Sequence, residues 1–473
     1  MNISNAFYTQ IKDHFSSDFL NQSSLELEEY GKDWTRVFPA KPSAIAFPRS
    51  TEEVARFLKL CNENRVPVVP SGGRTGLAGG AVAAHGEIVL NLSRMNQMHP
   101  VDTLAQTVRV GAGAVTEAVH QHCAPSGLTW PIDFASKGSS QVGGNISTNA
   151  GGVKVIRYGL TRQWVLGLQV VTMQGDILEL NGALEKNNTG IDLRQIFIGS
   201  EGTLGVITEA TLKLTRLPGK LEVFFFGVED ISAVLKLFHE VRKSSFKIMA
   251  FECMTRNCFE LVSSEQGLKP PFDRYYPAYV LLEIESSESA EAQSELEPWL
   301  SKLFEGGWVL DGTWAQSTRE AQELWRFREG ISESLTHRGF AYKNDIALPV
   351  SRLEEFVEEM TCLFSGRDFQ GEVFLFGHIG DGNLHVNTLK PAEMDKETFI
   401  QLCHEMDLQL FALVNKHAGS ISAEHGIGLL KKSALHFSRS EPELAIMKGL
   451  KQVLDPQGLL NPGKIWDNTP KNP

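Results

Sequence analysis

The chain has no cysteine pair in a CxxC arrangement; its six cysteines, Cys61, Cys123, Cys253, Cys258, Cys362 and Cys403, lie scattered. That excludes a disulfide scaffold and a thiolate zinc ribbon, and it fits a reduced compartment. No loop ends in the Gly-Lys-Ser/Thr of a Walker A motif. Uninterrupted apolar runs long enough to cross a bilayer are missing too. Positive charge is in deficit: 45 Lys and Arg against 57 Asp and Glu leave a formal charge of -12. Nothing therefore drives the counterion release on which general nucleic-acid binding depends, and an anionic substrate must meet locally placed cations. The opening segment, Met1 to Gln10, lacks both the basic-apolar pattern of a signal peptide and the Arg-rich amphipath of a transit sequence, so the expected location is cytoplasmic.

Glycine is what the chain has in quantity, 42 of 473 residues, and it is concentrated in a few stretches. Hydrophobic residues at 42% and charged ones at 22% are globular proportions, and this length exceeds one ordinary core, so two or more domains are expected. A helix is expected from Thr51 to Asn62, with Val54, Phe57, Leu58 and Cys61 on its inner face and Thr51 as N-cap. The strand Val66–Pro70 then breaks into Ser71-Gly-Gly-Arg-Thr-Gly76. Successive amides in such a loop form an anion-binding nest to which Arg74 adds charge; the plainer reading is a flexible surface loop. Val108–Thr116 begins like a dinucleotide fingerprint but has Thr116 where the third glycine belongs. Trp130–Gly152 interleaves glycine with hydroxyl and amide side chains, a mixture suited to a long polar ligand lying along the backbone. Ile198–Thr208 is a third such stretch.

These three stretches resemble the FAD-binding domain of the vanillyl-alcohol oxidase and p-cresol methylhydroxylase type. The resemblance implies that Ser71, Gly72, Gly73, Arg74, Thr75 and Gly76 contact the diphosphate. It places Gly138, Ser139, Gly144, Asn145, Ser147, Thr148, Asn149, Glu201, Gly205 and Ile207 around the rest of the cofactor, with Asn461 in a final segment that returns to this domain. Members with covalent flavin often carry histidine where this chain has Arg74, so the implied FAD is non-covalent.

From about Leu221 strands and helices alternate. Strands are expected at 221–226, 247–252, 279–284 and 345–349, and a helix at 231–241, as in an α+β substrate-capping domain with an antiparallel sheet and helices on one face. The expected division is 1–218 for the first FAD-binding segment, 219–420 for the cap and 421–473 for the returning segment. A helix over 318–334 would put Arg328 and Ser332 on one face at i and i+4, followed by Lys343. Guanidinium, hydroxyl and ammonium together suit carboxylates; a solvated charged helix explains them equally.

The stretch Val373–Asn387 reads as a hairpin turning at Asp381-Gly382. In that register Gly380 faces Asn383, Ile379 faces Leu384, and His378 lies opposite His385, with Asn387 on the same face. Two opposed imidazoles can share a metal ion or be hydrogen-bonded structural residues. A carboxylate is available in Ala423-Glu424-His425-Gly426, and Gly377, Gly380, Gly382, Gly426 and Gly428 crowd the four residues.

With Leu324–Glu329, Tyr342–Val350, Ser422–Gly428 and Leu454–Lys464, this stretch resembles the D-2-hydroxyglutarate dehydrogenases over roughly residues 40 to 466. The resemblance implies His378, His385 and Glu424 as ligands of a divalent metal. It makes His425 the catalytic base and Arg328, Ser332, Lys343 and Asn387 the substrate contacts. The family carries threonine at Ser332, so the hydroxyl is kept and a methyl lost. Zn²⁺ suits two imidazoles and a carboxylate, while ligand type also admits Mn²⁺, Co²⁺ or Fe²⁺. An electron-transfer flavoprotein or a quinone pathway is the implied electron acceptor, and a homodimer is one assembly the family admits. The alternatives are the same chemistry on D-lactate or glycolate, a zinc hydrolase, which leaves three flavin-type loops unexplained, and a flavin sensor without turnover.

Overall fold

The computed structural model describes residues 3–286, 290–365 and 371–467. The chain divides into two compact units. One comprises Met1–Gly152, Leu160–Leu217 and Glu424–Pro473, the other Val153–Gly159 and Pro218–Ala423. The excursion Val153–Gly159 has no counterpart in the linear division expected from sequence.

In the first unit the strands Ala44–Ala46, Ile88–Asn91 and Val68–Ser71 pair in parallel, with Leu20–Asn21 antiparallel at the edge. A second, antiparallel sheet orders Thr107–Gly111, Val206–Lys213, Val165–Val171 and Ile177–Leu180. The helix Thr51–Glu63 buries Val54, Phe57, Leu58 and Cys61, the face its 3.6-residue period demands. Its N-cap, however, is Ser50, whose hydroxyl accepts from the Glu53 amide at 3.3 Å. Thr51 is already helical and buried, and its hydroxyl is drawn to Gln169 and Thr208 of the antiparallel sheet. The C-terminal segment adds a parallel bridge to Val68–Ser71: the Val68 amide donates to Leu459 O at 2.9 Å and the Asn461 amide to Val68 O at 2.7 Å.

The second unit is built on seven antiparallel strands, numbered here within this sheet: β1 Lys220–Val228, β2 Lys247–Thr255, β3 Ala278–Ser286, β4 Asp311–Trp314, β5 Ala341–Ala347, β6 Glu372–Gly377 and β7 Asn383–Leu389, in the order β4-β1-β3-β2-β6-β7-β5. Helices cover both faces, not the single face expected. Phe225 of β1 packs with Phe259 and Phe327 from the helices Arg256–Gln266 and Thr318–Glu329. Phe224, pointing the other way, meets Trp299 of Ala290–Glu305, and Phe251 meets Phe238 of Ile231–Val241. This is why Val223-Phe-Phe-Phe226 is buried throughout instead of alternating. The strand expected at 345–349 is β5, which starts four residues earlier, at Ala341, and ends two earlier, at Ala347, ahead of Pro349, which cannot donate to a ladder. Among the described residues no helix is long and apolar enough to cross a membrane.

Candidate active site

A cleft in the first unit opens at the C-terminal end of the strand Val68–Ser71. Ser71, Gly72, Gly73, Arg74, Thr75 and Gly76 line one side; Gly144, Asn145, Ser147, Thr148, Glu201, Gly205, Ile207 and His425 line others. Gly73 must be glycine, because a Cβ there would collide with the Ser139 carbonyl. Two buried oxygens of the lining, Ser71 Oγ and Gln141 Oε1, have no hydrogen-bond partner in the chain, as expected where a polar ligand supplies it. The residues thus fit a dinucleotide. Gln141, Gly80, Ala81, Gly143 and Gly202 also line the cleft. Sequence reading did not assign them individually, although Gly80, Gln141, Gly143 and Gly202 stand inside the three glycine-rich stretches, the first of which runs from Ser71 to Gly80.

Other expected cofactor residues lie outside the lining. Gly138 and Ser139 form the turn on which Gly73 packs. Asn149 ends a helix in the left-handed region (φ 51°) and its Oδ1 accepts from the Arg162 amide at 3.0 Å. Asn461 donates to Gly80 O at 3.0 Å and Glu201 O at 2.7 Å, clamping two loops of the cleft. The Arg74 guanidinium lies over the Tyr30 ring and 3.4 Å from Glu29, so part of its charge is already engaged.

His425 reaches this cleft on a gripped backbone. The buried Glu201 carboxylate accepts from the Ile427 and Gly428 amides, both at 2.8 Å. Burial raises the Glu201 pKa while the two amides pull it back. Gly426 approaches so closely that a Cβ would press on the same carboxylate.

In the second unit a polar cluster forms on one face of the sheet. The β5–β7 register sets Lys343 opposite Asn387 and Asp345 opposite His385, so all four share a face. On β6 it is Phe376, not His378, that stands across from His385. The expected two-residue turn at Asp381-Gly382 is replaced by a 3₁₀ turn, Ile379–Asp381, in which the Asp381 and Asn383 amides both donate to His378 O. Only Gly382 adopts a positive φ, with its backbone pressed on the Leu348 carbonyl. His378 is thereby lifted out of the strand, yet its ring centroid stands 5.5 Å from that of His385. Burial pushes the Asp381 carboxyl in this turn up to about 6.

Each imidazole has a buried carboxylate at Nδ1: Glu252 Oε1 at 2.7 Å from His378, and Asp345 Oδ1 at 3.5 Å from His385. An Nδ1 proton held this way leaves the Nε2 lone pair for a ligand, the arrangement common to metal-binding histidines, so the pair fits a metal ion. Arg328 donates through Nε to the other oxygen of Glu252 at 2.7 Å and lies over the Phe376 ring. The expected continuous helix breaks at Gly330 into Thr318–Glu329 and Ile331–Arg338, where a Cβ would strike Gln266 and the Arg326 carbonyl. Arg328 and Ser332 therefore fall on different helices, the first buried and the second exposed. Arg328 Nη2 is buried without a partner, and the Lys343 ammonium meets no carboxylate among the described residues. Burial holds the Lys343 pKa below that of an ordinary lysine. Sequence reading missed Glu252, the residue on which this cluster turns.

A dinucleotide cleft of this build, followed by a sheet domain carrying a histidine pair, defines a flavin-dependent oxidoreductase. Residues 42–181 match the family described as FAD binding domain, and residues 217–465 the family described as FAD linked oxidases, C-terminal domain. The chain belongs to the FAD-linked oxidase family, among relatives named D-2-hydroxyglutarate dehydrogenase, and FAD is its cofactor. It is 46% identical over 440 residues to the D-2-hydroxyglutarate dehydrogenase of Stutzerimonas stutzeri, covering 93% of this chain and 94% of the relative. A Schizosaccharomyces pombe protein provisionally named a mitochondrial D-lactate dehydrogenase is 38% identical, covering 96% and 88%. Substrate-bound p-cresol methylhydroxylase superposes with a TM-score of 0.78 over 98% of both chains at 15% identity, a likeness of fold alone.

The first loop of the cleft carries Arg74 where members with covalent flavin often carry histidine. Acid or heat precipitation is expected to release the yellow colour into the supernatant; colour retained in a thoroughly denatured pellet would show a covalent link.

Proposed function

We propose that the enzyme oxidises a D-2-hydroxy acid, D-2-hydroxyglutarate in particular, to the 2-oxo acid. The observation that carries the choice of a dicarboxylate is the pair of cations in the second unit: among the described residues, Arg328 Nη2 has no hydrogen-bond partner and Lys343 no carboxylate. One carboxylate of this substrate stands beside the reacting carbon, and the other needs its own cation. Arg328 supplies a planar fork for it. Lys343, Ser332 and Asn387 are the further substrate contacts on this reading.

When bound, FAD supplies a hydride acceptor and a divalent metal, Zn²⁺ by ligand type, supplies a Lewis acid to the 2-hydroxyl. His378, His385 and Glu424 are the proposed ligands. His425, which lines the cofactor cleft, would take the hydroxyl proton, and bound FAD would supply the acceptor, at its N5, for the hydride of the neighbouring carbon. An electron-transfer flavoprotein or a quinone pathway would be the electron acceptor, for a cytoplasmic enzyme that admits a homodimer. The second reading, D-lactate, is favoured by the name of the yeast relative and keeps the same machinery without a use for Arg328 Nη2 and the Lys343 ammonium.

Arg328→Ala separates the two. Because Arg328 also pairs with Glu252, part of the loss falls on every substrate. The further loss, specific to 2-hydroxyglutarate, is that of a charge-assisted contact in a desolvated site, about 2–5 kcal/mol, on the order of thirtyfold or more in kcat/KM relative to D-lactate. Equal losses on both acids would assign Arg328 to the shared carboxylate or to the fold. Lys343 adds a pH signature. Its charge disappears as pH rises through a pKa that burial has lowered, so KM for the dicarboxylate should climb in alkali earlier than an exposed lysine would allow. The climb should vanish in Lys343→Met, and a KM that rises identically in both proteins would remove Lys343 from the site.

A further inference from the structure

We propose that Glu252 is a positioning residue that couples substrate recognition to metal binding, one carboxylate orienting both the Arg328 fork and the His378 ring. This rests on the roles proposed above for those two residues. Glu252 lies on β2 with its side chain only 1% exposed, and its two oxygens serve different partners, Oε1 the His378 Nδ1 and Oε2 the Arg328 Nε, each at 2.7 Å. A carboxylate accepts only, so both partners must present N–H to it. A guanidinium always does. The imidazole does so when its proton is on Nδ1, which leaves the Nε2 lone pair for the metal. The same carboxylate fixes the guanidinium by its Nε, so that the buried Nη2 without a partner is held ready for an anion.

The other ring is held separately. Asp345 stands 3.5 Å from His385 Nδ1 and also accepts from Asn383 Nδ2 at 2.8 Å, with no part in the Arg328 contact. A buried ion pair gains little stability over an apolar pair of the same volume, so a purely structural purpose does not call for this arrangement. Glutamine keeps the shape of Glu252 but has one acceptor oxygen and one donor nitrogen. Its oxygen can accept from His378 or from Arg328, never from both, and its NH₂ must face the other. If it faces the ring, the imidazole must move its proton to Nε2 and lose the lone pair the metal takes.

The test uses the full FAD-loaded chain as wild type, Glu252→Gln and Glu252→Asp. Zinc affinity of chelator-treated protein is measured by calorimetry. Binding of 2-oxoglutarate to the metal-free protein is followed by the flavin absorbance shift. Glu252→Gln is expected to weaken zinc by about 10–100-fold where its NH₂ faces His378, or 2-oxoglutarate by about tenfold or more where its NH₂ faces Arg328, with flavin content unchanged. Wild-type affinity for both ligands in this variant overturns the proposal. Should Glu252→Gln fail to hold flavin, Glu252→Asp decides: a carboxylate one methylene short cannot reach both partners, so one of the two affinities falls by about tenfold, and wild-type values for both overturn it. A wild-type protein that binds no zinc would fail the ligand assignment itself and the coupling with it.

Discussion

His425→Asn is expected to lower kcat by about 10²–10⁴-fold, the usual worth of a general base placed at the reacting hydroxyl. The substitution keeps a polar side chain of similar reach and leaves the backbone grip of Glu201 on Ile427 and Gly428 intact. Flavin content should therefore be unchanged. Under anaerobic conditions the variant should still bind the hydroxy acid and bleach slowly. A variant with wild-type turnover would assign proton removal elsewhere and return the sensor reading to contention.

Chelation is expected to have an effect of similar size. Lewis-acid help to a hydroxyl is worth several kcal/mol, on the order of a thousandfold in rate. The flavin spectrum should survive, since the cofactor cleft is built from residues of the first unit whereas His378 and His385 belong to the second. Adding back Zn²⁺, Mn²⁺ or Co²⁺ should restore turnover to chelated wild type and not to His385→Ala. Full activity in protein shown by elemental analysis to be metal-free would remove the metal from the mechanism and leave His378 and His385 as structural residues held by Glu252 and Asp345.

The histidine pair was legible because both residues flank one glycine-rich turn between two strands. The sequence register was wrong by two residues, with Phe376 in the place expected for His378; His378 lies beyond the end of β6, and its ring comes near His385 through the 3₁₀ turn. The turn was misread because its geometry is decided by tertiary contact: Gly382 packs on Leu348, and Gly380 sits against Ile156 and Phe251, residues far away in sequence. The helix break at Gly330 was hidden inside an unbroken apolar period; the close approach of Gln266, which leaves no room for a Cβ there, is a contact from far along the chain. Glu252 gave no local signal. At the end of an apolar strand it reads as a solvent-facing residue, and only the packing of Arg328 and His378 around it makes it buried and doubly bonded. The cofactor loops were the most legible part, because glycine density records close backbone approach at the level of sequence. Residues that clamp those loops from a distance, such as Asn461, were assigned to the ligand instead.

The most direct measurement is anaerobic titration of the yellow protein with D-2-hydroxyglutarate, L-2-hydroxyglutarate and D-lactate while flavin absorbance is followed. The account predicts stoichiometric bleaching by D-2-hydroxyglutarate with release of 2-oxoglutarate, much slower bleaching by D-lactate and none by the L acid. A flavin that stays oxidised with all three, or that D-lactate reduces faster than D-2-hydroxyglutarate, would contradict it.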